Sequence, residues 1–209
     1  MYTLSILLCV ILATASLDAP LMGAGWGWDA DNALGFAALA GMLYLSSPGE
    51  ARRDPRTHEW LGIAVLAVAV LHGLWFLLVD AAVLEYIKPG APAYMWTGIG
   101  AIVLFATLVW LARLPTRRSA HRTYGSFRWW HRLIAFGGLA GALHHIIASG
   151  FYLRTWYQAL VLVFIATGAV FLRRMHGSTI QPAPASVAGF LLVSVVGVAI
   201  FTAVRNVAP

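Results

Sequence analysis

Long runs of apolar residues, broken by short polar stretches, fill this chain almost from end to end. Scanning for stretches of roughly 20 mostly apolar residues predicts transmembrane helices near 2–19, 33–47, 59–80, 94–113, 129–149, 155–172 and 186–204. The second of these is short and rich in Gly and Ala, so the expected fold is an all-α polytopic membrane bundle of six to seven helices. The first, YTLSILLCVILATASLDA, lacks the basic flank of a secretory signal and is taken as a retained span. The longest predicted loops, near 18–32 and 114–128, have no room for a nucleotide-binding module, and the whole chain, 1–209, is expected to form a single transmembrane domain.

Composition agrees with this pattern: 60% of the 209 residues are hydrophobic, only 11% are charged, and the mean hydropathy is +0.78. These values exclude an ordinary soluble domain. The net charge of +6 would suit nucleic acid if it were clustered on one face, but its distribution follows the spans instead. Arg52, Arg53, Arg56, Arg113, Arg117, Arg118, Arg122, Arg128, Arg132, Arg173 and Arg174 fall on one side, against Lys88, Arg154 and Arg205 on the other. That asymmetry makes the Arg-rich loops cytoplasmic and places the DAPLMGAGWGWDADN loop and the C-terminus outside. The expected location is the bacterial inner (plasma) membrane, with lipid as a partner and nucleic acid excluded. Seven tryptophans near span ends read as an interfacial belt.

One cysteine, Cys9, rules out a disulfide within the chain, a thiolate cluster and covalent haem attachment. The histidines carry the chemistry. His121 and His176 fall in loops, whereas His58, His72, His131, His144 and His145 occupy only two helices, the third and the fifth. Ionisable groups at membrane depth are rare and usually functional.

Fourteen residues return a helix to within about 40° of the same face while climbing about 21 Å. His58 and His72 therefore share a face at two depths, and His131 repeats the relation with His145 at fourteen residues or His144 at thirteen. One return helix separates the two, so they run parallel and bring the histidines level in pairs. Two imidazoles facing each other at each level suit the two axial positions of a b-type haem. Zinc needs three or four ligands in one sphere, and a proton relay would want carboxylates at membrane depth, whereas all eight here read as lying near span ends. Gly137, Gly138 and Gly141, between the two levels, would admit either a flat ligand or a close helix contact. Arg56, Arg128 and Arg132 lie near the inner level, within reach of haem propionates.

The elements LGFAALAGMLYLSSPGEARR, HEWLGIAVLAVAVLHG, WLARLPTRR and FRWWHRLIAFGGLAGALHH, in that order over about residues 33–150, resemble the ferric-reductase-like transmembrane family. That family includes the NADPH oxidase membrane domains and the MsrQ-type haem subunit of a periplasmic methionine sulfoxide reductase. The resemblance implies haem b as cofactor, with His58 and His131 as ligands of an inner haem and His72 and His144 as ligands of an outer one. Helix geometry prefers His145 to His144, and His145 stands as the alternate. MsrQ-type chains typically carry Arg where this one has His58, so His58 favours two haems over one.

Oxidases and most ferric reductases of the family add a C-terminal FAD/NADPH domain, while this sequence ends at AVRNVAP. The implied donor is a separate flavoprotein or a quinol, and the implied acceptor is an outer-face molecule or reductase subunit. The leading expectation is a di-haem b electron-transfer protein, an oxidoreductase component without its own flavin domain. The alternatives are an MsrQ-like single-haem subunit and a non-redox structural subunit.

Overall fold

A computed structural model describes residues 2–17, 25–47, 54–79, 81–114, 124–171 and 186–207. Among them are seven α-helices, one 3-10 helix and no strand: α1 (Tyr2–Ser16), α2 (Trp26–Ser46), α3 (Pro55–Val79), the 3-10 turn Ala81–Ile87, α4 (Ala93–Arg113), α5 (Tyr124–Ser149), α6 (Trp156–Phe171) and α7 (Val187–Asn206). Four of them, α3, α4, α5 and α7, are long and apolar enough to cross a membrane, and α1 and α6 are shorter apolar helices. The chain is an integral membrane protein. Arg52, Arg53, Arg117, Arg118, Arg122, Arg173, Arg174, Asp18, Asp80, His121 and His176 lie outside the described residues.

Local chemistry sets the helix ends that matter. Asp54 precedes Pro55, whose fixed φ suits a first helical position. The Asp54 side chain accepts from the Arg56 amide at 3.0 Å and from the Thr57 hydroxyl, and its carbonyl accepts from the His58 amide at 3.0 Å. This cap starts α3 just where its first histidine is needed. Gly25, at φ 111°, turns the chain into α2, and Gly150, at φ 66°, ends α5 in the left-handed conformation that glycine adopts without strain. Ser186 caps α7 by accepting from the Gly189 amide at 3.0 Å.

The short Gly/Ala-rich second span is the centre of the bundle. It begins seven residues before its predicted start, so that WGWDADN forms its first two turns instead of an outer loop. Helix α2 packs on α1, α3, α6 and α7 and touches α5. Ala33, Ala37, Ala38, Ala40 and Gly41 are buried on it, because a helix surrounded by neighbours needs small side chains for close approach. A Cβ at Gly41 would collide with Val65 of α3. Leu39, Leu43, Leu61, Val65, Leu162 and Phe190 complete the core.

Helices α4 and α5 form the tightest pair in the outer part of the bundle. A Cβ at Gly141 would lie 3.0 Å from the Thr97 carbonyl, and one at Gly138 3.6 Å from that of Ala101. Of the two uses open to these glycines, the structure shows the close helix contact. Helices α3 and α5 make no extensive backbone contact with each other; α4 and α2 hold them. Phe136, Phe164, Leu192 and Val195 are exposed on the outside of the bundle, where lipid would cover them. Six of the end-of-span tryptophans are likewise exposed (Trp26, Trp60, Trp96, Trp129, Trp130, Trp156), whereas Trp28 stacks on Phe76 at 4.1 Å.

Candidate haem-binding site

Across the space between α3 and α5, the histidines meet in two pairs. The rings of His58 and His131 stand 6.4 Å apart between centroids, inclined at 49°. Those of His72 and His145 also stand 6.4 Å apart, inclined at 66°. The matching fourteen-residue intervals on two parallel helices thus bring both pairs into register, about 21 Å apart along the helices.

His144 stands apart from this arrangement. It is exposed, and its Nδ1 bonds Thr97 Oγ1 at 2.9 Å. Adjacent residues on a helix diverge by about 100°, so with His145 turned to His72, His144 faces elsewhere. The expected partner of His72, His144, gives way in this geometry to the alternate, His145.

The ring nitrogens of the outer pair are held from behind. His72 Nδ1 meets Asp31 Oδ2 at 2.8 Å and the Asp31 carbonyl at 3.0 Å, both acceptors. His145 Nδ1 donates to the Tyr94 carbonyl at 2.9 Å. Each bond places the proton on Nδ1 and leaves the Nε2 lone pair free to ligate, the arrangement typical of metal-bound histidine. At the inner level, His131 Nδ1 is buried with no hydrogen-bond partner among the described residues.

Two glycines make room for the outer rings. A Cβ on Gly35 would lie 3.0, 3.1 and 3.2 Å from Nε2, Cε1 and Cδ2 of His72, and one on Gly98 2.7, 2.9 and 3.1 Å from Nδ1, Cγ and Cε1 of His145. Near-equal distances put each missing Cβ over a ring face. Substitution at either position would therefore push the imidazole sideways.

The donor set and spacing fit a haem. Among the described residues no three His, Cys, Asp or Glu converge as a metal site, so each level offers two nitrogens, the number that a porphyrin leaves open on its iron. A ring nitrogen binds a first-row metal at about 2.0 Å and sits about 1.2 Å from its ring centroid, so two rings sharing one metal stand about 6.4 Å apart. Both pairs meet that separation.

Arg56 and Arg132 are exposed and Arg128 half-buried, at the end of the bundle where His58 and His131 lie. At the same end Arg113 pairs with Glu59 at 3.1 Å and stacks over Trp60 at 5.3 Å.

The acidic residues depart most from the sequence reading. Asp29 and Asp31, expected in a solvated outer loop, are wholly buried. Asp29 accepts from Arg205 Nε at 3.0 Å, from Asn206 Nδ2 at 2.8 Å and from the Tyr152 hydroxyl at 2.7 Å, while the Arg205 guanidinium lies 4.9 Å from the Tyr152 ring centroid. Burial, reinforced by the bond to Asp29, raises the Tyr152 phenol above its ordinary range and keeps it a donor. Both carboxylates lie in the first two turns of α2, near a helix end as expected, but inside the protein and not in an outer loop, and Asp31 is a site residue that the sequence did not reveal. The only signal was its place in a polar stretch that could also be helical.

Fold and site together define a helical membrane protein with paired histidines at two depths between parallel helices. The family model of the ferric reductase like transmembrane component matches residues 44–142, slightly under half of the chain, so this segment is similar to that component, and the similarity makes the protein a candidate membrane electron-transfer component. Comparison with curated proteins and with solved structures found no match. The matched segment contains His58, His72 and His131 and stops before His144 and His145, so the choice between those two rests on geometry.

Proposed function

We propose that this chain is a di-haem b electron-transfer protein, a single transmembrane domain that accepts electrons from a quinol or a partner flavoprotein at its cytoplasmic end and delivers them to an outer-face acceptor. The observation that carries this reading is the pair of histidine couples, each with its rings 6.4 Å apart. His58 and His131 would hold the inner haem, and His72 and His145 the outer one. Haem iron, when bound, supplies a one-electron ferric/ferrous couple.

The chain's own residues supply position and insulation. Asp31 and the Tyr94 carbonyl orient the outer imidazoles, and Leu61, Val65, Val68 and Ala69, buried between the two levels of α3, keep water from the interval. Arg56, Arg128 and Arg132 would pair with propionates through charge-assisted bonds. The positive-inside distribution supports a bacterial inner-membrane protein with its C-terminus outside. The equal spacing of the inner pair favours two haems over the single-haem alternative.

Protein purified in detergent should show a reduced b-type spectrum with two haems per chain. His145→Ala and His58→Ala should each leave one. A folded, colourless preparation overturns the proposal, and a folded preparation with one haem that His58→Ala leaves in place restores the single-haem alternative.

A further inference from the structure

We infer that Asp31 is the residue that sets the electronic character of the outer site: by accepting a hydrogen bond from His72 Nδ1 with a buried carboxylate, it makes this ligand more electron-rich and lowers the reduction potential of the outer haem. The inference rests on the haem reading above and extends it to a residue on α2, outside the segment matched by the family.

Three observations carry it. First, Asp31 is 1% exposed, and its Oδ2 lies 2.8 Å from His72 Nδ1. Its other oxygen, Oδ1, is buried with no hydrogen-bond partner among the described residues. A buried carboxylate is expensive unless an opposite charge compensates it, and here the compensation runs through the imidazole. Positive charge at His72 Nε2 is the natural source, and a ferric centre supplies more of it than a ferrous one. The carboxylate therefore favours the oxidised state.

Second, among the described residues His131 and His145 lack this feature. His145 Nδ1 faces a neutral carbonyl, that of Tyr94, and His131 Nδ1 has no hydrogen-bond partner among the described residues. Of His72, His131 and His145, only His72 faces a carboxylate among the described residues, so the two imidazoles of the outer pair differ in the charge behind them. Third, α2 fixes the same ring twice, with Asp31 at its Nδ1 edge and Gly35 against its face. A carboxylate behind a ligating histidine raises its basicity and orients its ring, and both effects converge on His72.

The test is a spectroelectrochemical titration of D31N and D31E, each compared with the unmodified protein and repeated in a His58→Ala background that retains only the outer pair. D31N keeps an acceptor but loses the charge, so the outer midpoint should shift to more positive potential while the inner one stays. D31E keeps the charge and should remain nearer the unmodified value. D31A, which has no acceptor, should lose outer-haem affinity by about 10–100-fold. Unchanged potentials in D31N, equal shifts in D31N and D31E, or equal shifts of both haems would each overturn the inference while leaving the haem reading intact. A colourless unmodified protein would remove that reading, and this inference with it.

Discussion

Gly98 gives a quantitative test of the outer site, because its lack of a side chain is what lets α4 lie against the His145 ring. In Gly98→Ala the new Cβ would stand 2.7 Å from His145 Nδ1, where ordinary contact begins at 3.4 Å, so the ring must retreat by about 0.7 Å. Metal–ligand distances tolerate only about 0.2 Å, so a shift of this size takes Nε2 out of bonding range unless α5 moves with it. The Gly141 contact with Thr97, at 3.0 Å for a built Cβ, resists that movement. The same retreat stretches the 2.9 Å bond to the Tyr94 carbonyl, and losing the partner of a metal-bound histidine typically costs about 10–100-fold in affinity. Gly98→Ala should therefore purify with one haem per chain instead of two, at a concentration where the unmodified protein is full, and the helix content by circular dichroism should not change. The assay is haem per protein by pyridine haemochrome, with the difference spectrum showing which component is lost. Two haems bound with unchanged spectra in Gly98→Ala would refute the placement of His145 as a ligand.

Replacing His145 by Ala should remove the outer haem and replacing His144 by Ala should leave it, both read by haem stoichiometry; the reverse result would return the site to His144. Breaking the buried Asp29–Arg205 pair with Arg205→Ala should cost about 3–5 kcal/mol, because an uncompensated carboxylate stays behind; detergent-solubilised thermal unfolding would show it as a clear drop in midpoint. The Thr57 hydroxyl, donating to Asp54, holds that carboxyl below the ordinary carboxylate range. A group with a lowered folded-state value stabilises above its unfolded value and loses that contribution as pH falls through the folded one. The first turn of α3 should therefore stay protected in hydrogen exchange down to about pH 4 and loosen below it; Asp54→Ala should loosen it at all pH values.

Much of the architecture was legible along the chain, because a bilayer imposes a strong length and hydropathy constraint on each span. The seven predicted spans correspond in position to the seven α-helices of the described residues, four of them long and apolar enough to cross a membrane, and the fourteen-residue intervals anticipated the register of α3 and α5. Helix periodicity also explains why His145 was preferred on geometry: it depends only on 3.6 residues per turn. The resemblance pointed to His144, since an aligned dipeptide carries no information about which member turns inward.

Burial and charge compensation were decided elsewhere. WGWDADN reads as a polar, Gly-containing loop, yet Asp29 and Asp31 sit inside because Arg205, Asn206, Tyr152 and His72, between 41 and 177 residues away in sequence, meet them there. Composition made α2 the weakest span, and packing made it the centre, since only small residues let four helices close around it. The sequence alone therefore determined the spans, their parallel run and the two depths of histidine, all consequences of local periodicity. Which imidazole faces inward, and which carboxylate stands behind it, only the tertiary structure decided, because those contacts depend on helix rotation and on partners remote along the chain.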